Sequence, residues 1–412
     1  MPDVSILEVQ LHGSAIGSLT HVGGDRTLFA FNDAYIHDAR RPVLSLSFKD
    51  AFGGLITALP VTQRRVSPFF ANLLPEGPLR DYLAERAGVN REREFFLLRA
   101  LGRDLPGAVA IEPVEGPVRP SRSGVMGEES STYEKADALR FSLAGVQLKF
   151  SAVRNRGRYG GLTIPAQGVG GEWIVKLPST RFEGLPENEF AMMELARAIG
   201  IEVPETQLVE LSAIEGLPEG IGALNGPAFA IRRFDRSAEG AVHTEDFAQI
   251  FGVYPEEKYR KATLRNIAYV LGIESDDSSV AEFIRRIVFN VLIGNADMHL
   301  KNWSVIYPDR RRPVLAPAYD FVSTIAYLDD DSFALKFARA RRFADFTYRE
   351  LDALADKAGL PRRPLAAVAR ETVDRFLPEW HARKRHLSLP ASVVETIDKH
   401  IAGLPIVRDA RR

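Results

Sequence analysis

The sequence predicts an α+β chain in which a small amino-terminal α/β unit precedes a strand-rich lobe and a mostly helical lobe. Three observations carry this reading. Hydrophobic residues make up 45% of 412 positions, enough for more than one core. A polar, turn-rich stretch at 116–138, holding Pro117, Ser121, Ser123, Gly124, Glu128, Glu129, Ser130 and Ser131, reads as a linker. Beyond it the pattern is strand-like from about 139 and helical from about 187. The boundaries drawn are 1–115, 116–138, 139–236 and 237–412.

In the first unit, Ile6–Leu11, Ala15–Thr20 and Thr27–Phe31 have strand character and are separated by glycine-bearing turns at His12-Gly13 and Gly23-Gly24. Phe69–Leu74 and Leu79–Ala87 have helical spacing, interrupted by Pro75-Glu76-Gly77-Pro78. Glu92–Leu101 continues the helical pattern. No internal repeat is apparent, which argues against a solenoid.

Composition excludes several function classes. The net charge of −1 and pI of about 6.7 give no general attraction to polyanions, so any nucleic-acid contact must be local or come through a partner. The absence of cysteine rules out disulfides and thiolate metal sites and fits a reducing compartment. Met1-Pro2-Asp3-Val4-Ser5-Ile6 lacks the basic region followed by an apolar core expected of a targeting segment, and no stretch approaches about eighteen uninterrupted apolar residues. The expectation is a soluble protein of the cytoplasm with no membrane contact.

The most informative segment is Gly294-Asn295-Ala296-Asp297-Met298-His299-Leu300-Lys301-Asn302. It lies between an apolar run, 287–293, and a β-rich stretch, 303–307, and so reads as a loop between buried elements. Asp297 precedes Asn302 by five positions, the spacing of the catalytic Asp and metal-binding Asn of protein kinases. With His299 between them, the pattern Asp-x-His-x-x-Asn resembles equally the loop of aminoglycoside-phosphotransferase-like kinases. A second metal ligand is expected downstream, and Tyr319-Asp320-Phe321 supplies it after Val314–Pro317. One such Asp is commonly a loop cap; two in order with an Asn between them point to a metal–nucleotide site.

The nucleotide-binding half is expected upstream. Phe141 to Ser151 contains a small-residue turn, Ala144-Gly145, followed by Val146, Gln147, Leu148 and Lys149, whose backbone amides could approach phosphate oxygens. Trp173-Ile174-Val175-Lys176 is an apolar strand ending in a lysine, which resembles the kinase strand whose ammonium neutralises nucleotide phosphates. A helix over 188–200, closed by Gly200, offers Glu189 as its pairing glutamate ahead of Glu187 and Glu194. The strand over Phe229–Arg236 places Arg232, Arg233 and Phe234 at a lobe junction, where backbone groups could meet an adenine.

Taken in order, these segments, together with His243-Thr244-Glu245-Asp246-Phe247-Ala248-Gln249, resemble the HipA family of bacterial toxin-type serine/threonine kinases. Arg41–Ser47, Phe70–Pro75 and the Gly102–Val109 segment resemble that family's amino-terminal subdomain, so the resemblance spans nearly the whole chain. It implies a two-lobed protein-kinase-like fold that uses ATP and Mg2+, phosphorylates a protein serine or threonine, and is neutralised by a DNA-binding HipB-type antitoxin.

Residue by residue, the resemblance makes Asp297 the catalytic base. It places His299, Leu300, Lys301 and Asn302 in the nucleotide and metal loop, and Tyr319 and Asp320 at the second metal position. Asn302 and Asp320 are then the metal ligands. Ala144 to Lys149 form the phosphate loop, Lys176 is the nucleotide lysine, Arg232 to Phe234 are the hinge, and Ser142 is the autophosphorylated serine. Leu148 departs from the polar residue common before the loop lysine. The remaining phosphate charge is offset by Lys176 and by His299 or Lys301. An aminoacyl-tRNA synthetase is the substrate this resemblance suggests, and DNA would be met indirectly through the antitoxin complex.

Three readings compete: a protein kinase toxin, a small-molecule kinase of aminoglycoside-phosphotransferase type, and an inactive DNA-bound co-repressor scaffold. The amino-terminal subdomain favours the first over the second, and intact Asp297, Asn302 and Asp320 argue against the third. Basic clusters at 339–342 and 381–386 could touch DNA phosphates, although charge runs more often only solvate a helix face.

Overall fold

The structure is a computed structural model that describes residues 5–114, 149–154, 162–164, 171–217 and 224–410. The expected linker at 116–138 and the turn carrying Ser142, Ala144, Gly145, Val146, Gln147 and Leu148 lie outside the described residues.

The amino-terminal subdomain is built on five antiparallel strands: β1 (Ser5–Leu11), β2 (Ser14–Val22), β3 (Arg26–Phe31), β4 (Thr62–Gln63) and β5 (Val109–Pro113). They form one sheet in the order β4-β3-β2-β1-β5. Alternation sets its inner face: β3 is buried at every second residue, and Leu7, Val9 and Leu11 of β1 are fully buried. His12 and Gly13 both have positive φ, as a two-residue hairpin matched to strand twist requires. Short helices α1 (Asp33–His37) and α2 (Pro68–Ala71), then α3 (Gly77–Arg86) and α4 (Glu94–Leu101), complete this unit. The expected helix over 69–74 is thus only one turn, after which Leu73 and Leu74 are buried outside regular helix.

The next lobe holds six strands: β6 (Lys149–Arg154), β7 (Leu162–Thr163), β8 (Trp173–Lys176), β9 (Thr206–Val209), β10 (Ile214–Glu215) and β11 (Ala228–Arg232). Their order in the sheet is β10-β7-β6-β8-β11-β9. Helix α5 (Leu185–Ala198) crosses beside it, burying Met192, Met193 and Leu195. The apolar alternation of β8 and β11 places Val175, Ala228 and Ala230 in one core and Phe229 in that of the helical lobe.

A short ribbon, β12 (Arg236–Ser237) with β13 (Gly240–Ala241), leads into the helical lobe. Within that lobe, β14 (Thr244–Asp246), β15 (Ser304–Ile306) and β16 (Val314–Leu315) make a three-stranded antiparallel sheet. Its helices are the small α6 (Phe247–Ile250), then α7 (Leu264–Glu274), α8 (Asp277–Ile293), α9 (Tyr348–Ala358), α10 (Arg362–Arg383), α11 (Ala391–Gly403) and the short α12 (Pro405–Ala410). Helix α8 is the axis of the core, with Phe283, Ile284, Ile287, Val288, Val291 and Leu292 buried. It ends at Gly294, whose φ of 68° turns the chain out of the helix and opens the loop that carries Asp297. Among the described residues, no helix is long and apolar enough to cross a membrane.

The basic clusters are largely engaged within the chain. Arg339 pairs with Glu350 at 3.0 Å, Arg342 with Asp331 at 2.9 Å, and Lys384 with Asp398 at 2.5 Å. Arg385 and His386 are exposed.

Candidate active site

The three units meet around one cleft of about 1360 Å³, lined by Lys149, Lys176, Glu189, Asp297, Asn302 and Asp320 among others. Strand register builds its upper wall. Lys149 of β6 stands directly opposite Lys176 of β8, so both side chains leave the same face of the sheet.

Lys176 is buried and lies 2.5 Å from Glu189 on α5; its ammonium also contacts Asp320. Of the three glutamates considered, Glu189 is the one on the lysine, whereas Glu194 bonds Arg197 and Thr206. Burial works against the Lys176 charge, but Asp320 and Glu189 outweigh it and raise the pKa. Burial likewise opposes the Asp320 charge, and Lys176 and Lys149 overcome it, lowering the carboxyl pKa to about 2. For Glu189 burial wins over Lys176, and its pKa rises to about 7. Asp320 therefore carries the firm negative charge of this group. Its φ of 58° is unusual for a residue with a side chain and marks a conformation held by its surroundings.

The loop after α8 is tied together by its own side chains. Asn295 donates to the Asn290 side chain at 2.8 Å and to the Asp320 carbonyl at 3.2 Å, and its oxygen receives the Asp297 amide at 3.1 Å. The Asn302 side-chain nitrogen donates to the Asp297 carbonyl at 2.9 Å, and its side-chain oxygen has no donor among the described residues. Asn295 thus fixes Asp297 against Asp320. It lies inside the motif, but its type alone gives no hint of this role.

Asp297 is exposed to the cleft, yet the protein around it raises its carboxyl pKa, through desolvation first, against the Tyr259 hydroxyl and Lys258. Tyr259 donates to its Oδ1 at 2.6 Å.

Several expected contributors are placed differently. His299 is buried on the cleft wall, its Nδ1 has no partner among the described residues, and burial and then Lys258 lower its pKa to about 3. Leu300 is buried in the core of the helical lobe and its amide donates to the Lys258 carbonyl at 3.3 Å, which removes its side chain from the cleft. Lys301 is held by Glu76 at 2.8 Å and by the Asn72 carbonyl at 3.1 Å, both from the amino-terminal subdomain.

Arg233 is tied to Asp104 at 3.1 Å and Asp235 at 2.8 Å. The Arg232 and Arg233 amides donate to Glu205 and Glu172 carbonyls, each at 2.8 Å. These two amides are therefore engaged within the chain, and the Arg233 side chain joins the subdomains. Phe234 remains on the cleft, 5.7 Å from the Tyr319 ring, and Tyr319 bonds the Lys301 carbonyl at 2.9 Å.

A residue profile of the HipA N-terminal domain matches 7–112, and one of the HipA-like C-terminal domain matches 141–380, more than half the chain. The chain belongs to the HipA family. It is 56% identical over 99% of both chains to a Sinorhizobium fredii protein with a provisional kinase designation. It is also 29% identical to the serine/threonine-protein kinase toxin HipA of Shewanella oneidensis, over 87% of this chain and 84% of that one. The solved Shewanella oneidensis HipA, in complex with HipB and operator DNA, shares the fold with a TM-score of 0.73, 23% identity, and coverage of 98% and 99%. HipA membership makes the chain kinase-like, with the two-lobed α+β architecture expected.

Mg2+ commonly takes one or two protein carboxylates and fills its shell with water and phosphate oxygens. Asp320 and the free oxygen of Asn302 fit that demand, and no group of three or more acidic, His or Cys ligands stands among the described residues.

Proposed function

We propose that this chain is an ATP- and Mg2+-dependent serine/threonine protein kinase acting in the cytoplasm as the toxin of a toxin–antitoxin pair. The observation that carries the reading is Lys176, bound to Glu189 and Asp320 in the same cleft as Asp297 and Asn302. Bound Mg2+ would be held by Asp320 and Asn302 and would neutralise phosphate charge.

The residues of the chain do the rest. Lys176 and Lys149 face the nucleotide as cations, and Glu189 would remain the partner of Lys176 where Asp320 would hold the metal. Phe234 and Tyr319 offer an aromatic wall. Asp297 accepts the proton of the attacking hydroxyl, and its raised pKa suits a base better than an ordinary carboxylate would. Ser142, outside the described residues, is proposed as an autophosphorylation site. A HipB-type antitoxin would neutralise the chain and bring it to DNA, in the manner of the Shewanella oneidensis complex of HipA, HipB and operator DNA. The proposed substrate is a translation protein such as an aminoacyl-tRNA synthetase.

Incubating the purified chain with γ-labelled ATP, Mg2+ and cell lysate tests the reading. Label should enter lysate protein, and Asp297→Asn should lower the rate by about 10²–10⁴-fold while nucleotide binding stays within a few-fold. Label confined to small molecules would instead make it a small-molecule kinase. ATP binding without any transfer would make it a scaffold.

A further inference from the structure

Asp297 has two carboxylate oxygens, and the fold treats them differently. Oδ1 accepts the Tyr259 hydroxyl at 2.6 Å, whereas Oδ2 has no donor among the described residues. Tyr259 stands in the turn between Pro255–Glu257 and α7, and although 38% exposed it is not loose. Its ring meets His299 edge-on, with centroids 5.0 Å apart at 82°. The carbonyl of the preceding Lys258 accepts the Leu300 amide at 3.3 Å, and the Lys258 ammonium is held by Glu76 at 2.9 Å. The segment is therefore bound to the catalytic loop on one side and to the amino-terminal subdomain on the other.

We infer that Tyr259 is a positioning residue for phosphoryl transfer, a conclusion that rests on the reading of Asp297 as the base. A carboxylate with both oxygens free turns about its Cβ–Cγ bond and presents its acceptor lone pairs in many directions. Anchoring Oδ1 fixes the plane and leaves Oδ2 as the one acceptor for the incoming hydroxyl. In the transfer, the hydroxyl oxygen bonds to the γ-phosphorus, the bond from that phosphorus to the ADP oxygen breaks, and the hydroxyl proton passes to Oδ2. The phenol keeps its own proton throughout, as a donor to Oδ1. Its edge contact with the His299 ring supports the same geometry from the loop side. The opposite role, a phenol occupying the place of the substrate hydroxyl, would make Tyr259 a competitor and give the reverse sign on removal.

Tyr259→Phe separates these roles, because it deletes one oxygen and keeps the ring on His299. The rate of lysate-protein labelling at saturating γ-labelled ATP should fall about tenfold. The half-saturating ATP concentration, the calorimetric affinity for a non-hydrolysable ATP analogue and the thermal midpoint should stay near parental. In an Asp297→Asn background the same change should cause no further loss of the residual rate, since the group it orients is gone. An unchanged or increased rate in Tyr259→Phe, beside an inactive Asp297→Asn, overturns this inference and leaves the base assignment standing. A parental rate in Asp297→Asn overturns the base assignment and the inference together.

Discussion

Glu76 of the amino-terminal subdomain meets Lys301 of the catalytic loop at 2.8 Å. Its other oxygen holds Lys258 at 2.9 Å, so one carboxylate bridges both segments that surround Asp297. Burial opposes the Glu76 charge, and Lys301 and Lys258 overcome it, lowering the pKa to about 2.

Glu76→Gln should therefore cost stability at neutral pH. With Glu76 about a third exposed, solvent screening limits the loss to about 1 kcal/mol by denaturant titration. The sign follows from a folded pKa below the ordinary 4.5: the stabilisation is present above that value and is lost as pH falls toward 2. The gap between parent and variant should close over that window. A gap independent of pH would assign the loss to packing rather than charge.

Mg2+ dependence checks Asp320. In calorimetric titrations with a non-hydrolysable ATP analogue, Asp320→Asn should bind about tenfold or more weakly than the parent with Mg2+ present, and lose the benefit that Mg2+ gives. Lys176→Met should weaken binding with and without Mg2+, because its ammonium acts on the phosphates directly. An intact Mg2+ response in Asp320→Asn would remove the metal from this residue.

Two glycines with nearly the same backbone provide a matched pair. Gly294 and Gly359 both end helices in the left-handed region, at φ 68° and 69°. A Cβ on Gly294 would lie 2.4 Å from Ile325 Cδ1, while one on Gly359 would meet nothing within 4 Å. Gly359→Ala should cost about 1 kcal/mol for backbone strain alone. Gly294→Ala should cost about 1–2 kcal/mol more, as Ile325 is forced aside. Equal losses in denaturant titration would show that Ile325 moves freely.

Glu245 gives the stability its opposite pH slope. It is buried, accepting from Tyr307 and from the Leu46 amide at 3.0 Å, and burial raises its pKa to about 7. The folded protein thus keeps a proton that the unfolded chain releases above about 4.5, so this contribution is full below that pH and is lost as pH rises through about 7. The stability of the parent minus that of Glu245→Gln should fall between pH 5 and pH 8. A difference that is flat or rises over this range would mean that Glu245 is ionised in the folded protein.

Much of the cleft is legible in the order of residues. Lys176 ends an apolar strand, Glu189 lies on a helix with clear periodicity, and Asp297, Asn302 and Asp320 keep a fixed order around short buried elements. Those signals are local: a strand alternates, a helix repeats, and a loop between apolar runs must satisfy its polar groups at the surface or on a ligand. The strands of the amino-terminal subdomain are readable for the same reason.

Other assignments depend on distant partners. Pro75-Glu76-Gly77-Pro78 reads only as a break between helices, although Glu76 reaches Lys258 across 182 positions. Tyr259 belongs to no motif and gains its role by meeting Asp297. Arg233 reads as a hinge residue until Asp104 and Asp235 close on it, and the charge of His299 is not readable from spacing, whereas its burial in the fold lowers its pKa.

Residue type and spacing are enough to set which groups stand at strand ends, on helix faces and in loops, and with them the kinase-like order of Lys176, Glu189, Asp297, Asn302 and Asp320. The folded chain is needed to tell which of these charges are paired, which are silenced by burial, and which parts of the amino-terminal subdomain reach the catalytic loop. Periodicity acts over a few residues, whereas desolvation and ion pairing depend on every group the fold brings near, however far apart in the chain.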